Sequence, residues 1–191
     1  MTNGFFAILS RMKLINRWGL MRNSTTENLC EHTLQVAYIA HALAALCNKN
    51  GKEVDTSKAV MFALYHDCSE IITGDLPTPI KYKNDEIKSA YKKIEIAANE
   101  HLLSMISEDI RSEFEEYFKK PEGNIKLIVK AADNLSALIK CIEEKNAGNH
   151  DFDSAYESVK AKVDASPLPE VREFVEKYLP SFVYTLDELE K

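Results

Sequence analysis

Residues 56–72 read TSKAVMFALYHDCSEII, and the fold follows from how this stretch is read. Apolar side chains recur at three- and four-residue intervals, the repeat of an α-helix whose successive residues turn by about 100°. On that wheel Val60, Met61, Leu64, Cys68, Ile71 and Ile72 gather on one side, the expected core side. His66, Asp67 and Glu70 gather in a separate sector with Ala59 and Ala63. Three ligand-type side chains thus share a face with small neighbours, which leaves room for a bound group. A His-Asp pair on a helix is ordinarily just a solvated or hydrogen-bonded pair, so the weight falls on what the other helices carry.

Outward from this segment the same period continues. A first helix is expected over about Phe5 to Asn16. Ser24-Thr25-Thr26-Glu27 fits the S-x-x-E capping pattern and predicts the start of a second helix that runs to about Cys47. That helix is apolar nearly all round, as a buried central helix should be. The third helix stops at Thr73-Gly74-Asp75-Leu76-Pro77-Thr78-Pro79, whose two prolines and glycine make a fixed loop. Further helices are expected at about 85–105, 107–119, 125–145, 151–163 and 169–178. No β-alternating run of useful length and no internal repeat interrupts them. The expectation is an all-α fold of seven or eight helices, one domain over residues 1–191.

Composition agrees with this class and narrows the function. Apolar residues make up 45% and charged residues 28% of the 191-residue chain, with only 6 Gly and 6 Pro, a balance that favours helices. The formal charge of −6 suits poorly a protein that grips a nucleic acid backbone, which needs clustered Lys and Arg. A small phosphate ester remains compatible. Cys30, Cys47, Cys68 and Cys141 show no CxxC spacing and read as free thiols of a reducing compartment. Arg11, Lys13 and Arg17 interrupt the stretch from Phe5 to Trp18, so it does not read as a signal peptide, and no window reaches the roughly 20 apolar residues of a membrane span. A cytoplasmic protein without membrane or nucleic acid partners is expected.

Two further segments join the His66-Asp67 pair. Glu31-His32 lies early in the apolar second helix, and Asp133 sits in the middle of the apolar run Ile125 to Asp133. A carboxylate among so many apolar residues is costly unless compensated. Lys130 or Lys140 could carry it to solvent through a salt bridge. The alternative is a metal, for which two imidazoles and two carboxylates form an N/O donor set suited to a divalent ion. His41, His101 and His150 lack such partners and read as surface or satisfied histidines. The basic run from Lys81 to Lys93 is interleaved with acids and reads as a solvated helix face. Cys30 and Cys68 read as small packing residues. No P-loop or nucleophile elbow is present.

The order His…His-Asp…Asp, with 34 residues from His32 to His66 and 66 from Asp67 to Asp133, resembles the HD superfamily of metal-dependent phosphohydrolases. Leu14-Ile15-Asn16-Arg17-Trp18, Glu31-His32, Tyr65 to Glu70, Thr73 to Pro79 and Lys130-Ala131-Ala132-Asp133 together look like its bacterial 5′-deoxynucleotidase family, and the likeness covers most of the chain. It implies His32, His66, Asp67 and Asp133 as ligands of one divalent metal per subunit. Co²⁺ or Mn²⁺ is favoured, with Fe²⁺, Zn²⁺ and Mg²⁺ also compatible. It implies Arg17 as the grip on the substrate phosphate and Trp18 as the wall against the sugar that excludes a 2′-hydroxyl. Asp75, Leu76, Pro77 and Thr78 would form the loop that holds the sugar, with His32, Asp67 and Asp133 also touching substrate. Glu70 would be the acid/base residue, with Asp75 the alternative donor to the leaving oxygen. The implied reaction turns deoxynucleoside 5′-monophosphates into deoxynucleosides and inorganic phosphate, in a homodimer. Two other readings stand beside it: an HD hydrolase for another nucleotide phosphate ester, and a catalytically silent nucleotide sensor. One position departs from the family pattern. Gly19 follows Trp18 where a proline is expected, which leaves the loop that sets Trp18 less constrained.

Overall fold

Val36, Ala40, Leu43, Ala44 and Cys47 are wholly shielded from solvent, and they lie at helical spacing along one segment. In a computed structural model, which describes residues 3–81 and 83–191, that segment is the central helix α2 (Leu29–Lys49). Around it run α1 (Phe5–Leu9), continued as a 3₁₀ turn Ser10–Leu14, α3 (Thr56–Tyr65), α4 (Glu70–Thr73) and α5 (Thr78–Lys81). There follow α6 (Asp85–Ser104), α7 (Glu108–Glu115), α8 (Gly123–Asn146), α9 (Asp153–Asp164), α10 (Pro169–Lys177) and α11 (Leu186–Leu189). The all-α class expected from the sequence is what the structure shows. Among the described residues the extended pairing is a single antiparallel bridge, Asn16 with Asn28.

Helices α2, α3 and α8 pack on one another and hold the main core. Ile128, Ala132, Leu135 and Ile139 of α8 meet Val36, Ala40 and Leu43 of α2 there, with α9 and α10 closing the far side through Val163 and Phe174. A second apolar cluster forms under the N-terminus, where Phe5, Met12 and Leu29 meet Cys68, Leu102 and Ile106. Phe5 makes T-shaped contacts with the rings of Phe114 and Phe118 there.

Four expectations need correction. The helices exceed seven or eight, because α4, α5 and α11 have four residues each, too few to show a period. The third helix does not run unbroken to Ile72. It ends at Tyr65, and the chain turns through Cys68 N–H to Tyr65 C=O (3.3 Å) and Glu70 N–H to Asp67 C=O (2.9 Å) before α4 begins. These three-residue bonds overwind the backbone, so Ile72 emerges 44% exposed instead of facing the core. Ala59 and Ala63 leave no room for a ligand. Both are fully buried in the main core, where their small size lets α3 approach its neighbours.

The second helix starts five residues later than its Ser24 signal. Asn28 is the cap: its side chain accepts from Cys30 and Glu31 N–H, and the Glu31 carboxylate accepts from Asn28 N–H at 2.9 Å. Ser24 and Thr25 instead donate their N–H groups to Glu144 of α8, at 2.8 and 3.3 Å. Glu144 and Lys140 form an ion pair whose side chains are 1% and 5% exposed, and Lys140 also donates to the Thr25 carbonyl. This node pins the segment that leads from Trp18 into α2.

Candidate active site

Helices α2 and α8 and the turn after α3 bring His32, His66, Asp67 and Asp133 together. His32 projects from the first turns of α2, one residue beyond its cap box, and is wholly buried. Ligand atoms of His32, His66 and Asp133 all lie within 4.8 Å of one another. Asp67 Oδ2 is 3.0 Å from His66 Nε2 and 3.6 Å from His32 Nε2. Asp133 divides its carboxylate: Oδ1 is 3.5 Å from His32 Nε2, and Oδ2 accepts from Lys130 Nζ at 3.0 Å. The salt bridge that the sequence left open for this carboxylate is thus made by Lys130, whereas Lys140 is taken by Glu144.

Hydrogen bonds on the outer edges of the imidazoles set their tautomers. Ser136 Oγ donates to Gln35 Oε1 at 2.6 Å, so toward His32 Nδ1, 3.0 Å away, it acts as acceptor. His66 Nδ1 lies 2.7 Å from the Ala63 carbonyl, which only accepts. Each ring thus carries a hydrogen on Nδ1 and turns its Nε2 inward, where it binds a proton or, in its place, a metal. Both Nε2 atoms are buried without a hydrogen-bond partner.

The electrostatics show what such a cluster attracts. Burial works to raise the pKa of Asp67 and of Asp133, yet the facing His66 and His32 and, for Asp133, Lys130 hold both carboxyls well below the ordinary range. Burial works to lower His66, and Asp67 and Asp133 overcome it and hold the imidazole up to about 9. Two buried carboxylates and two unpartnered imidazole nitrogens therefore draw positive charge to one point. The donor set contains no thiolate, since burial pushes the nearby Cys68 thiol up to about 12. These observations fit a divalent metal of N/O preference.

Arg17 reaches the cluster from the segment after the 3₁₀ turn. Its Nη1 lies 3.6 Å from Asp67 Oδ2, and its Nε donates to Glu27 Oε2 at 3.3 Å. Burial works against its charge, but Asp67, Glu27, Asp133 and Asp75 hold its pKa above the ordinary value. Trp18 follows with a left-handed backbone, φ 58°. Its indole N–H donates to the same Glu27 oxygen at 2.9 Å, and its ring leans on Phe152 at 5.3 Å.

Glu70 is buried at the start of α4, with Oε1 4.0 Å from Lys81 Nζ and Oε2 without a partner. Burial, then Asp67 and Asp75, push its carboxyl up to about 9. Gly74, left-handed at φ 72°, ends α4 and opens the half-buried stretch Asp75, Leu76 and Pro77. Thr78 begins α5 at the end of this stretch, so the expected loop is shorter than the sequence suggested; its side chain lies outside the described residues. His41, His101 and His150 are all exposed, as expected. Sequence reasoning missed Glu27, Gln35, Ser136 and Lys81. Gln35 and Ser136 follow His32 and Asp133 by three residues on their helices, a spacing that marks the same face.

The chain matches the family model described as 5′-deoxynucleotidase YfbR-like over residues 4–182. A 5′-deoxynucleotidase of Shewanella oneidensis is 46% identical over 189 residues, with 97% of each chain covered. One from Vibrio cholerae is 46% identical over 188 residues at the same coverage. Among solved structures, an HD-domain phosphohydrolase from Listeria innocua superposes with a TM-score of 0.83 at 23% identity, covering 98% of this chain and 92% of that one. The HD phosphohydrolase DatZ of cyanophage S-2L, solved with dA and one catalytic Zn²⁺ ion, superposes at 0.65 with 24% identity, covering 93% and 95%. At these identities the two structures carry the fold. The near-complete match to the family model and to relatives at 46% identity carries more, and by it this chain belongs to the YfbR-like family of 5′-deoxynucleotidases.

Proposed function

We propose that the chain is a metal-dependent 5′-deoxynucleotidase that converts deoxynucleoside 5′-monophosphates to deoxynucleosides and inorganic phosphate. The observation that carries this reading is the convergence of two imidazole Nε2 atoms and two ionised carboxylates beside an inward-facing arginine. His32, His66, Asp67 and Asp133 would hold one divalent ion, Co²⁺ or Mn²⁺ favoured. Such an ion supplies Lewis acidity at the phosphate and lowers the pKa of water toward neutrality.

The chain's own side chains do the rest. Arg17, with Nε occupied by Glu27, presents its remaining N–H groups to the phosphate oxygens and offsets charge that builds on them. Trp18 would wall the sugar, and the Asp75-Leu76-Pro77-Thr78 loop would hold it, with Asp75 accepting from the 3′-hydroxyl. Water adds to phosphorus, the bond to O5′ breaks, Glu70 delivers the proton the departing O5′ needs, and the proton shed by the water restores Glu70. A buried carboxyl with an unpartnered oxygen, set among Asp67 and Asp75, favours the protonated form that this role requires. Asp75 is thereby left to the sugar.

A cytoplasmic homodimer is proposed on two grounds. The four cysteines are all free, as in a reducing compartment. Phe6, Leu34 and Tyr38 leave apolar surface exposed near the N-terminus, as an interface between copies would. Among the described residues no helix is long and apolar enough to cross a membrane.

The test is phosphate release from dAMP and AMP by chelated protein, before and after adding Co²⁺, Mn²⁺, Zn²⁺ or Mg²⁺. Metal-restored release from dAMP, with little from AMP, is expected. Equal release from both would remove the sugar selectivity and leave the hydrolase. Nucleotide and metal binding without release would turn the reading to a sensor.

A further inference from the structure

We propose that Glu27 is a positioning residue that fixes Arg17 and Trp18 as one unit, so that phosphate grip and sugar selection both depend on a single carboxylate oxygen. The inference rests on the roles given above to Arg17 and Trp18. Glu27 Oε2 accepts from Trp18 Nε1 at 2.9 Å and from Arg17 Nε at 3.3 Å. The Arg17 and Glu27 side chains are 11% and 12% exposed, so water screens this pair far less than a surface ion pair.

The backbone prepares the arrangement. Arg17 N–H donates to the Glu27 carbonyl at 2.9 Å and Leu29 N–H to the Ile15 carbonyl at 2.9 Å, on either side of the Asn16–Asn28 bridge. Residues 17 and 27 therefore face each other across a two-stranded contact, and their side chains meet again at the site end. Capping at Asn28 leaves the Glu27 carboxylate free for this task.

Trp18 gives the second reason. A left-handed backbone is unfavourable for a bulky residue and persists only when surrounding contacts hold it. Its carbonyl accepts from Met21 N–H at 2.9 Å and from Asn23 Nδ2 at 3.3 Å. Those bonds fix the turn, but the indole ring is oriented by Glu27 on its N–H and by a tilted contact with Phe152. Arg17 gives the third. With Nε engaged by Glu27 its fork is aimed inward, with Nη1 toward Asp67.

The experiment uses the full chain loaded with Co²⁺ or Mn²⁺ and compares Glu27→Gln, Glu27→Ala, Trp18→Phe and the Glu27→Ala/Trp18→Phe double variant. Trp18 is the sole tryptophan, so its emission reports the indole environment directly. Loss of a hydrogen bond to a charged group should raise KM for dAMP by roughly tenfold in Glu27→Ala and cut the dAMP-over-AMP preference by roughly fivefold. Trp18 emission should shift in the same variant. Gln keeps one carbonyl oxygen able to accept both bonds, so Glu27→Gln should rescue the preference and the emission. Trp18→Phe, which lacks the N–H, should lose preference to a similar extent, and the double variant should lose little more. Unchanged emission and unchanged KM in a folded Glu27→Ala, or additive losses in the double variant, would overturn the proposal. If Glu27→Ala does not fold, a Glu27→Gln variant with the kinetics and emission of a chain lacking the contact overturns it equally. A Trp18→Phe chain with full preference, alongside shifted emission and raised KM in Glu27→Ala, would overturn the sugar-wall role of Trp18 and support the positioning role of Glu27.

Discussion

His32 Nδ1 sits 3.0 Å from Ser136 Oγ, a contact between α2 and α8 that directs the imidazole Nε2 into the carboxylate cluster. Both side chains are wholly buried, so neither has water as an alternative partner. The tautomer that the proposed metal needs is thus held by a hydroxyl 104 positions away in the chain.

Ser136→Ala should therefore weaken metal binding by about 10–100-fold, the usual effect of removing the group that orients a ligating histidine. Activity at saturating metal should stay near wild type, because the four donors are intact. Titration of the chelated chain with Co²⁺ or Mn²⁺ checks this, and wild-type affinity would refute the link.

The donors and the acid should separate cleanly. Asp67→Ala or Asp133→Ala is expected to remove metal and turnover together, since each deletes one of two inward carboxylates. Glu70→Ala should keep the metal and lose about 10²–10⁴ in rate, the span of general acid catalysis. Metal content by elemental analysis beside single-turnover rates distinguishes the two classes. Full metal content in Asp133→Ala would remove it from the proposed ligand set.

Glu144→Ala should destabilise the fold by about 3–5 kcal/mol at neutral pH, because it strands the buried Lys140 ammonium. The pH dependence has a definite sign. Burial opposes ionisation of Glu144, but bonds from Lys140, Asn149, Ser24 and Thr25 lower its carboxyl from 4.5 to about 2. A lowered carboxyl contributes stability above its ordinary value and loses it as pH falls toward 2. Urea titrations of wild type and variant should therefore converge below about pH 4.5, and a constant gap down to pH 2 would contradict this assignment.

Gly19→Ala should stabilise the chain by about 0.4–1 kcal/mol through the lower entropy of the unfolded state. A Cβ built at Gly19 meets nothing within 4 Å, and its backbone lies outside the left-handed region. A rise in melting temperature is expected, and a fall would mean that the turn after Trp18 needs glycine.

Much of the molecule is legible in residues 56–72 and their counterparts. The long helices α2, α6 and α8 declare themselves by period, and His32, Asp67 and Asp133 stand out because ionisable groups in apolar helices are costly. Glu27, Gln35 and Ser136 carry no such mark. A polar side chain acquires meaning from its partner, and the partners of Gln35 and Ser136 lie more than 100 positions away, at Ser136 to Gln35 and His32.

Two consecutive cap-box patterns show where sequence stops and tertiary structure begins. The sequence by itself determined the helical class and, through the family resemblance, the set of candidate site residues. Its pattern pointed to Ser24 with Glu27 as the helix start, whereas the structure uses Asn28 with Glu31, a pair equally able to satisfy the free N–H groups of a helix end. Only the fold could choose between them. Glu144 claims the N–H groups of Ser24 and Thr25, and Arg17 and Trp18 claim the carboxylate of Glu27. A hydrogen-bonding group already spent on a distant partner cannot cap its own helix, so α2 begins at Leu29.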